Sequence, residues 1–390
     1  MRLTALQFRV ARYFSSATIS SPNRALAYNE NGPPHDVLRV VTSPRALHPP
    51  TPNTVNIEFI LAPINPVDIN TVEGVYPVKP KQDDSFYSEQ STKRPIFVGG
   101  KEGLARVVEV GEGVQGLKKD DWVVAYQYRV STWTKRRNVS AADIIKLPYT
   151  GKDGLSEVNG ACITINPPTA YNVLRDFVDL QDGDWVLQNG ANSAVGQMVL
   201  QIAKSRKLNT INFVRARTDL ASVVHQLKDL GATKVLTYDD LLQSSFRKQV
   251  DEWTSGRPIR LALNCVSGPT ATAMAKLLGE DAHLVSYGAM SKQPLSLPTS
   301  LLIFKNLTAQ GFSQAKWNET HSRADFEALV GTLAGMMLDP RREGSHLKEP
   351  VHKIMTIRDD ETDEVATAKV RKLFRDILAG GMPKMLLRWE

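Results

Sequence analysis

A chain of 390 residues with 42% hydrophobic and 23% charged side chains has material for an extensive core and exceeds the usual size of one domain, so two domains are expected. Only Cys162 and Cys265 occur, far apart, which excludes a disulfide framework and a paired-cysteine zinc site and fits a reducing compartment. The net charge of +7 comes with no arginine-rich arm or aromatic-basic platform for nucleic acid, and no apolar run approaches the ~20 residues of a membrane span.

In chain order, the start MRLTALQFRVARYFSSATIS carries Arg2, Arg9 and Arg12, several hydroxyl residues and no acid; the first carboxylate is Glu30. Residues 1–22 read as a mitochondrial transit peptide, with RYF before SS as a cleavage region; a basic disordered tail has the same composition. Loss of residues 1–14 removes three arginines and takes the charge from +7 to +4, so much of the basicity is addressing. From about Asn23 to Pro148, short β-rich runs (TVNIEFILA, LARVVEVGEGV, DWVVAYQ) are separated by Gly, Pro, Asn and Asp, as in a compact β unit. Within it NPVDINTVEGVYPVKP shows no periodic apolar pattern and reads as the longest irregular segment.

From about Pro167 the texture alternates: strand DWVLQNG, helix AVGQMVLQIAKSRKL, strand NTINFVRA, helix DLASVVHQLKDLG, strand KVLTYD, helix LLQSSFRKQVDEW, strand IRLALNCV, helix TATAMAKLLG, strand AHLVSYGA. Such alternation predicts a doubly wound parallel sheet. After ADFEALVGTLAGMML, the charged segment 339–348 reads as a connector, and a last helix with KMLLRWE as a return to the first unit.

Three features bear on chemistry. In DWVLQNGANSAVGQMVLQIA an apolar strand enters a small-residue turn and an apolar helix leaves it, the setting of a pyrophosphate site, with Gly190, Ser193 and Gly196 allowing close approach; the strict Gly-x-Gly-x-x-Gly spacing is absent, and small residues at such a turn also serve packing. The next strand ends at Arg215 and Arg217, where an acid would bind the ribose hydroxyls of NAD; two guanidiniums suit a 2'-phosphate and point to NADPH, the other reading being a solvated strand end facing Asp219. Between residues 22 and 160 only His35 and His48, and no cysteine, could offer zinc ligands, so no catalytic zinc is expected.

In order, GGKEGLARVVEVGEGVQGLKKDDWVVA, INPPTAYNVL, QNGANSAVG and LALNCVSG resemble the medium-chain dehydrogenase/reductase superfamily over nearly the whole mature chain. More narrowly, NPVDINTVEGVYPVKP with FVRAR, SYGAM and LLIFKNLTAQGF resembles its zinc-free, NADPH-dependent branch, the mitochondrial 2-enoyl thioester reductases. The resemblance implies an α/β fold: a GroES-like β-rich catalytic domain over 23–165 and 342–390, and a Rossmann domain with a doubly wound parallel sheet over 166–341. It further implies a homodimer in the mitochondrial matrix acting on enoyl thioesters of acyl carrier protein or CoA in fatty acid synthesis. Carried over by residue, the proton donor falls on Tyr76. Cofactor contacts fall on Asn166, on Asn192, Ser193, Ala194 and Val195 of the turn, and on Arg215 and Arg217. They continue on Tyr287, Gly288, Ala289 and Met290, on Phe312, and on Lys384 near the end. Where the family usually follows this phenylalanine with tryptophan, the chain has Ser313. Two rival functions share the turn: an NADPH quinone reductase, and a nucleotide-binding regulator without catalysis.

Overall fold

The computed structural model describes residues 22–78, 80–86, 95–338 and 347–390. The proposed transit peptide therefore lies almost wholly outside the described residues, as does most of the connector after residue 338.

The first unit begins with β1 (Arg24–Tyr28), the short helix α1 (Pro34–Val37) and β2 (Arg39–Thr42), which returns antiparallel onto β1. Its spine is the ten-residue strand β3 (Thr54–Pro63), along which Val55, Ile57, Phe59 and Leu61 face the core at period two. At its end the chain turns into α2 (Pro66–Val72), where an irregular segment was expected. Asn65 is the N-cap, Pro66 supplies a preset first helical residue, and the Asp68 carboxylate accepts the Asn65 N–H at 2.8 Å. Seven residues are too few for an apolar period to show. There follow β4 (Phe97–Val98), β5 (Leu104–Val110), β6 (Trp122–Ala125), β7 (Arg136–Ser140), β8 (Ile144–Lys146), α3 (Glu157–Ala161) and α4 (Asn166–Arg175).

The second unit alternates strand and helix: β9 (Trp185–Asn189), α5 (Ala194–Ser205), β10 (Asn209–Val214), α6 (Leu220–Asp229), β11 (Lys234–Thr237), α7 (Tyr238–Leu241), α8 (Phe246–Thr254), β12 (Leu261–Asn264), α9 (Gly268–Lys276), β13 (His283–Ser286), α10 (Thr299–Lys305), β14 (Thr308–Gly311), α11 (Gln314–Thr320) and α12 (Arg323–Met336). Its strands are parallel, in the order β11-β10-β9-β12-β13-β14, so the winding reverses between β9 and β12. Helices cover both faces, which is why β9 and β12 are buried at every position instead of alternating. Of the helix expected over LLQSSFRKQVDEW only α8 forms, starting at Phe246, whereas α7 lies earlier, over the end of the expected strand KVLTYD, where Thr237 caps it by accepting the Asp240 N–H at 3.2 Å.

Finally β15 (His352–Ile357), α13 (Asp363–Ala379) and β16 (Lys384–Trp389) rejoin the first unit. β16 pairs antiparallel with the end of β3, Leu386 opposite Pro63, in a seven-stranded arrangement. The two units share one core, in which Leu61, Leu104 and Val124 meet Val186, Leu263, Val285 and Phe326.

Candidate active site

The carboxyl ends of β9, β10, β12, β13 and β14 open on one edge of the parallel sheet, the position where doubly wound sheets bind nucleotides. The structure brings most of the residues expected to hold cofactor to this edge. Asn192 and Ser193 form the turn after β9; Ala194 and Val195 begin α5; Arg215 and Arg217 follow β10; Tyr287, Gly288, Ala289 and Met290 follow β13; Phe312 follows β14. Ser193 caps α5, its hydroxyl accepting the Gly196 N–H at 3.1 Å, and the first turn carries no acid, so the positive end of the helix dipole faces the cleft uncompensated. Gly190 adopts φ +60°, and a Cβ there would stand 2.5 Å from the Cys265 sulfur. The Tyr287 hydroxyl is buried beside Cys265 and Ser193 with no partner at normal hydrogen-bond geometry. A turn that admits no side chain, a free helix end and an orphaned hydroxyl together fit a dinucleotide.

Of the two arginines, Arg217 is engaged bidentately by Asp219, whereas Arg215, on the surface, has no ion pair among the described residues. Arg215 also lies near Gly380, past the end of α13, where a Cβ on that glycine would come 3.9 Å from its guanidinium. A buried amide ladder not anticipated from the sequence ties the strand ends. Asn189 donates to Asn264 Oδ1 at 2.8 Å and accepts the Cys265 N–H at 2.7 Å, while Asn264 donates to Ser286 at 2.9 Å. The Tyr238 hydroxyl accepts the Gly190 N–H at 3.0 Å. Asparagines ending apolar strands were the available signal.

Across the cleft, Tyr76 follows α2 on a turn whose backbone is fixed by the Tyr76 N–H donating to Asn70 O at 3.1 Å. Two contacts bring this turn towards the second unit. Glu73 pairs with Lys292, after β13, at 3.6 Å, and Glu319 on α11 is near enough to act on the Tyr76 hydroxyl. Burial, then Glu319 and Asp68, hold that hydroxyl above the ordinary phenol pKa.

Asn166 and Lys384, both expected at the cofactor, converge on one atom, Asn65 Oδ1, at 3.1 and 2.5 Å. Lys384 also donates to Ile64 O at 3.2 Å. The Asn65 amide in turn donates to Glu102 Oε2 at 2.9 Å. Glu102 is fully buried; its other oxygen accepts the N–H groups of Thr164 and Ile165, each at 2.8 Å. Burial raises its pKa against these donors and Lys384. Asp68 is buried too, and burial pushes its carboxyl up to about 7 although the Asn65 N–H and the Lys101 and Lys384 charges oppose the rise. Asn65, Asp68, Lys101, Glu102 and Tyr128 were not singled out from the sequence; only the Asn-Pro-x-Asp spacing of a capping box signalled any of them. Among the described residues, no group of three or more His, Cys, Asp or Glu side chains is placed to hold a metal ion.

Comparison with known proteins gives two family matches: "Alcohol dehydrogenase GroES-like domain" over residues 51–155 and "Zinc-binding dehydrogenase" over residues 194–334. A mitochondrial enoyl-acyl-carrier-protein reductase of Yarrowia lipolytica is 35% identical over 370 residues, 95% of this chain and 93% of its own. Among solved structures, the Etr1p/NADP/crotonyl-CoA complex matches with a TM-score of 0.84 at 33% identity, covering 94% of this chain and 99% of that one. The mitochondrial 2-enoyl thioester reductase Etr1p/Etr2p heterodimer from Candida tropicalis matches with a TM-score of 0.83 at 33% identity and the same coverage.

Proposed function

The chain belongs to the mitochondrial enoyl-acyl-carrier-protein reductases, and from that membership we propose how its own residues reduce trans-2-enoyl thioesters with NADPH. One observation carries the reading. Tyr76, a protonated phenol, stands on a braced turn opposite the carboxyl edge of a sheet whose strand ends fit a dinucleotide. The residues that would hold NADPH are Asn192 to Val195 at the start of α5, Arg215 and Arg217 at the 2'-phosphate, and Tyr287 to Met290 with Phe312 along the floor. Asn166 and Lys384, also in the proposed set, both donate to Asn65 Oδ1, at the N-cap of α2.

NADPH supplies the hydride received at Cβ of the substrate. The electron pair displaced from the double bond moves to the thioester as an enolate, the costly species. Tyr76 answers it: its O–H bond breaks, the proton forms the new C–H bond at Cα, and the pair stays on the phenol oxygen. A raised pKa keeps the donor protonated throughout the neutral range. The similar proteins' names support a mitochondrial setting and carrier-protein or CoA thioesters as substrates.

A homodimer is part of the proposal. β14 is an edge strand with exposed residues, and beside it α10 exposes Leu302, Ile303 and Phe304. The test of function is NADPH oxidation with crotonyl-CoA and longer enoyl thioesters, on CoA and on acyl carrier protein, beside a quinone. Turnover of the thioesters is expected; quinone turnover alone, or NADPH binding without turnover, would replace the reading by one of its rivals.

A further inference from the structure

Lys101 is a buried ammonium with no hydrogen bond or ion pair among the described residues, a costly state for a charge. What it has instead is two aromatic faces. Its Nζ lies 5.3 Å from the Tyr76 ring centroid and 5.9 Å from that of Tyr128. The chain is built to put it there. Gly100, at φ +85°, makes the turn before it, and a Cβ on Gly100 would meet the Thr132 hydroxyl at 2.3 Å. On the other side, Gln127 and Tyr128 both hold φ +55°, a conformation non-glycine residues seldom adopt. Gln127 is pinned there by its amide, which donates to Tyr126 Oη and Asn318 O, both at 3.0 Å.

The remaining charges around the pair are acidic or distant from it. Asp68 acts on both Lys101 and Tyr76, with one carboxyl oxygen buried and unpartnered; Glu319 faces Tyr76 from α11; Glu102 and Lys384 are occupied with each other's partners around Asn65. Near Tyr76, then, acids oppose the loss of its proton, and Lys101 is the cation set against its ring.

We propose that Lys101 is a positioning residue for proton donation: its ammonium, clamped between the Tyr76 and Tyr128 rings, fixes the donor's ring and offsets the negative charge left on the Tyr76 oxygen. This rests on the reading of Tyr76 as the acid. In the step itself the Tyr76 O–H bond breaks, a C–H bond forms at Cα, and the phenoxide regains its proton from water after product leaves. Lys101 exchanges no proton; the phenoxide forms on a ring that faces a buried cation, where the interaction is stronger than in bulk water.

The test is a double-mutant cycle on the full-length enzyme with crotonyl-CoA. Lys101→Met and Lys101→Gln are each made alone and in a Tyr76→Phe background, with Lys101→Arg as the conservative variant. Loss of about 10- to 100-fold in kcat is expected in the Tyr76 background, with partial recovery in Lys101→Arg, a larger solvent isotope effect and unchanged NADPH affinity. In the Tyr76→Phe background the same substitutions should change kcat little, because the group they act through is gone. An equal loss in both backgrounds, or no loss in either, would overturn the assignment, as would failure of both neutral variants to fold, since Lys101 would then be a structural tie. If Tyr76→Phe itself retains parental kcat, the acid assignment fails instead, and the two failures are thereby distinct.

Discussion

At the scale of single residues, the site separates groups that need their charge from groups that must do without it. Tyr76→Phe removes one hydroxyl and keeps the ring that Lys101 faces. It should lower kcat/KM about 10²- to 10⁴-fold while leaving NADPH affinity and Tm near parental values, measured by steady-state kinetics beside thermal melts. A variant with parental kcat/KM would return Tyr76 to a surface role. Asp68 makes a second case. Its carboxyl titrates near 7 in the folded chain against an ordinary value near 4, so the folded state holds an extra proton between these values and loses stability as pH rises through them. Asp68→Asn removes that titration while keeping an oxygen for the Asn65 N–H. The Tm of the variant should therefore gain on the parent as pH goes from 4 to 8; an unchanging difference would show that the carboxyl is not held neutral by burial. For the cofactor, replacing Arg215 and Arg217 together by Ala should weaken NADPH about 10²-fold and NADH far less, as fluorescence titration would show. Arg215 should account for the larger share, because Arg217 already has Asp219. Equal losses for both nucleotides would remove the 2'-phosphate from these residues.

At the scale of elements, the strand-to-helix turn after β9 is where local geometry and ligand demand coincide. Gly190→Ala must adopt φ +60° and press on the Cys265 sulfur, a loss of about 1–3 kcal/mol and of several degrees in Tm. Adding Cys265→Ala should recover the steric part only, so the double variant should melt between Gly190→Ala and Cys265→Ala; no recovery would assign the whole loss to the backbone. This turn was legible in the sequence because apolar strand, small residues and apolar helix are contiguous. The alternation of the second unit was legible for the same reason: each element carries its own periodic signal. Elements whose identity depends on partners were not. Helix α2 is too short for a period and rests on a capping box whose carboxylate is also buried in the site. Strand β14, Thr-Ala-Gln-Gly, has no alternation and exists through its ladder to β13. The arrangement around Asn65 joins residues 65, 102, 166 and 384, and Lys101 gains its meaning only when the turns at Gly100 and Tyr128 close on it. Sequence distance hid these contacts; the small-residue turn and the arginine pair, complete within a few positions, it could not hide.

At the scale of the whole molecule, the second sheet ends abruptly. Its other edge strand, β11, is flanked by α6 and α7, but β14 carries exposed residues and leaves unpaired the amides that point away from β13. Alternate amides serve the ladder: those of Thr308 and of Phe312, just past β14, bond to Ala282 and Ser286, so those of Ala309 and Gly311 face outwards. Such an edge, with Ile303 at 66% and Phe304 at 78% exposure on the adjoining helix, is a liability unless covered. In the proposed homodimer a second copy would cover it, because a two-fold axis beside β14 would set the strand antiparallel to itself and bring the two α10 faces together, each supplying what the other lacks. Ile303→Glu with Phe304→Glu would place like charges across that axis. Light scattering on the parent should give a dimer, and on the double variant a monomer at micromolar concentration, with NADPH still bound because the strand ends proposed to hold it lie within one protomer. A monomeric parent, or a variant that stays dimeric, would move the interface elsewhere. If the variant instead lost both its partner and its cofactor, the dimer would have to be supporting the turn after β13, whose residues 287–290 follow the strand that β14 covers.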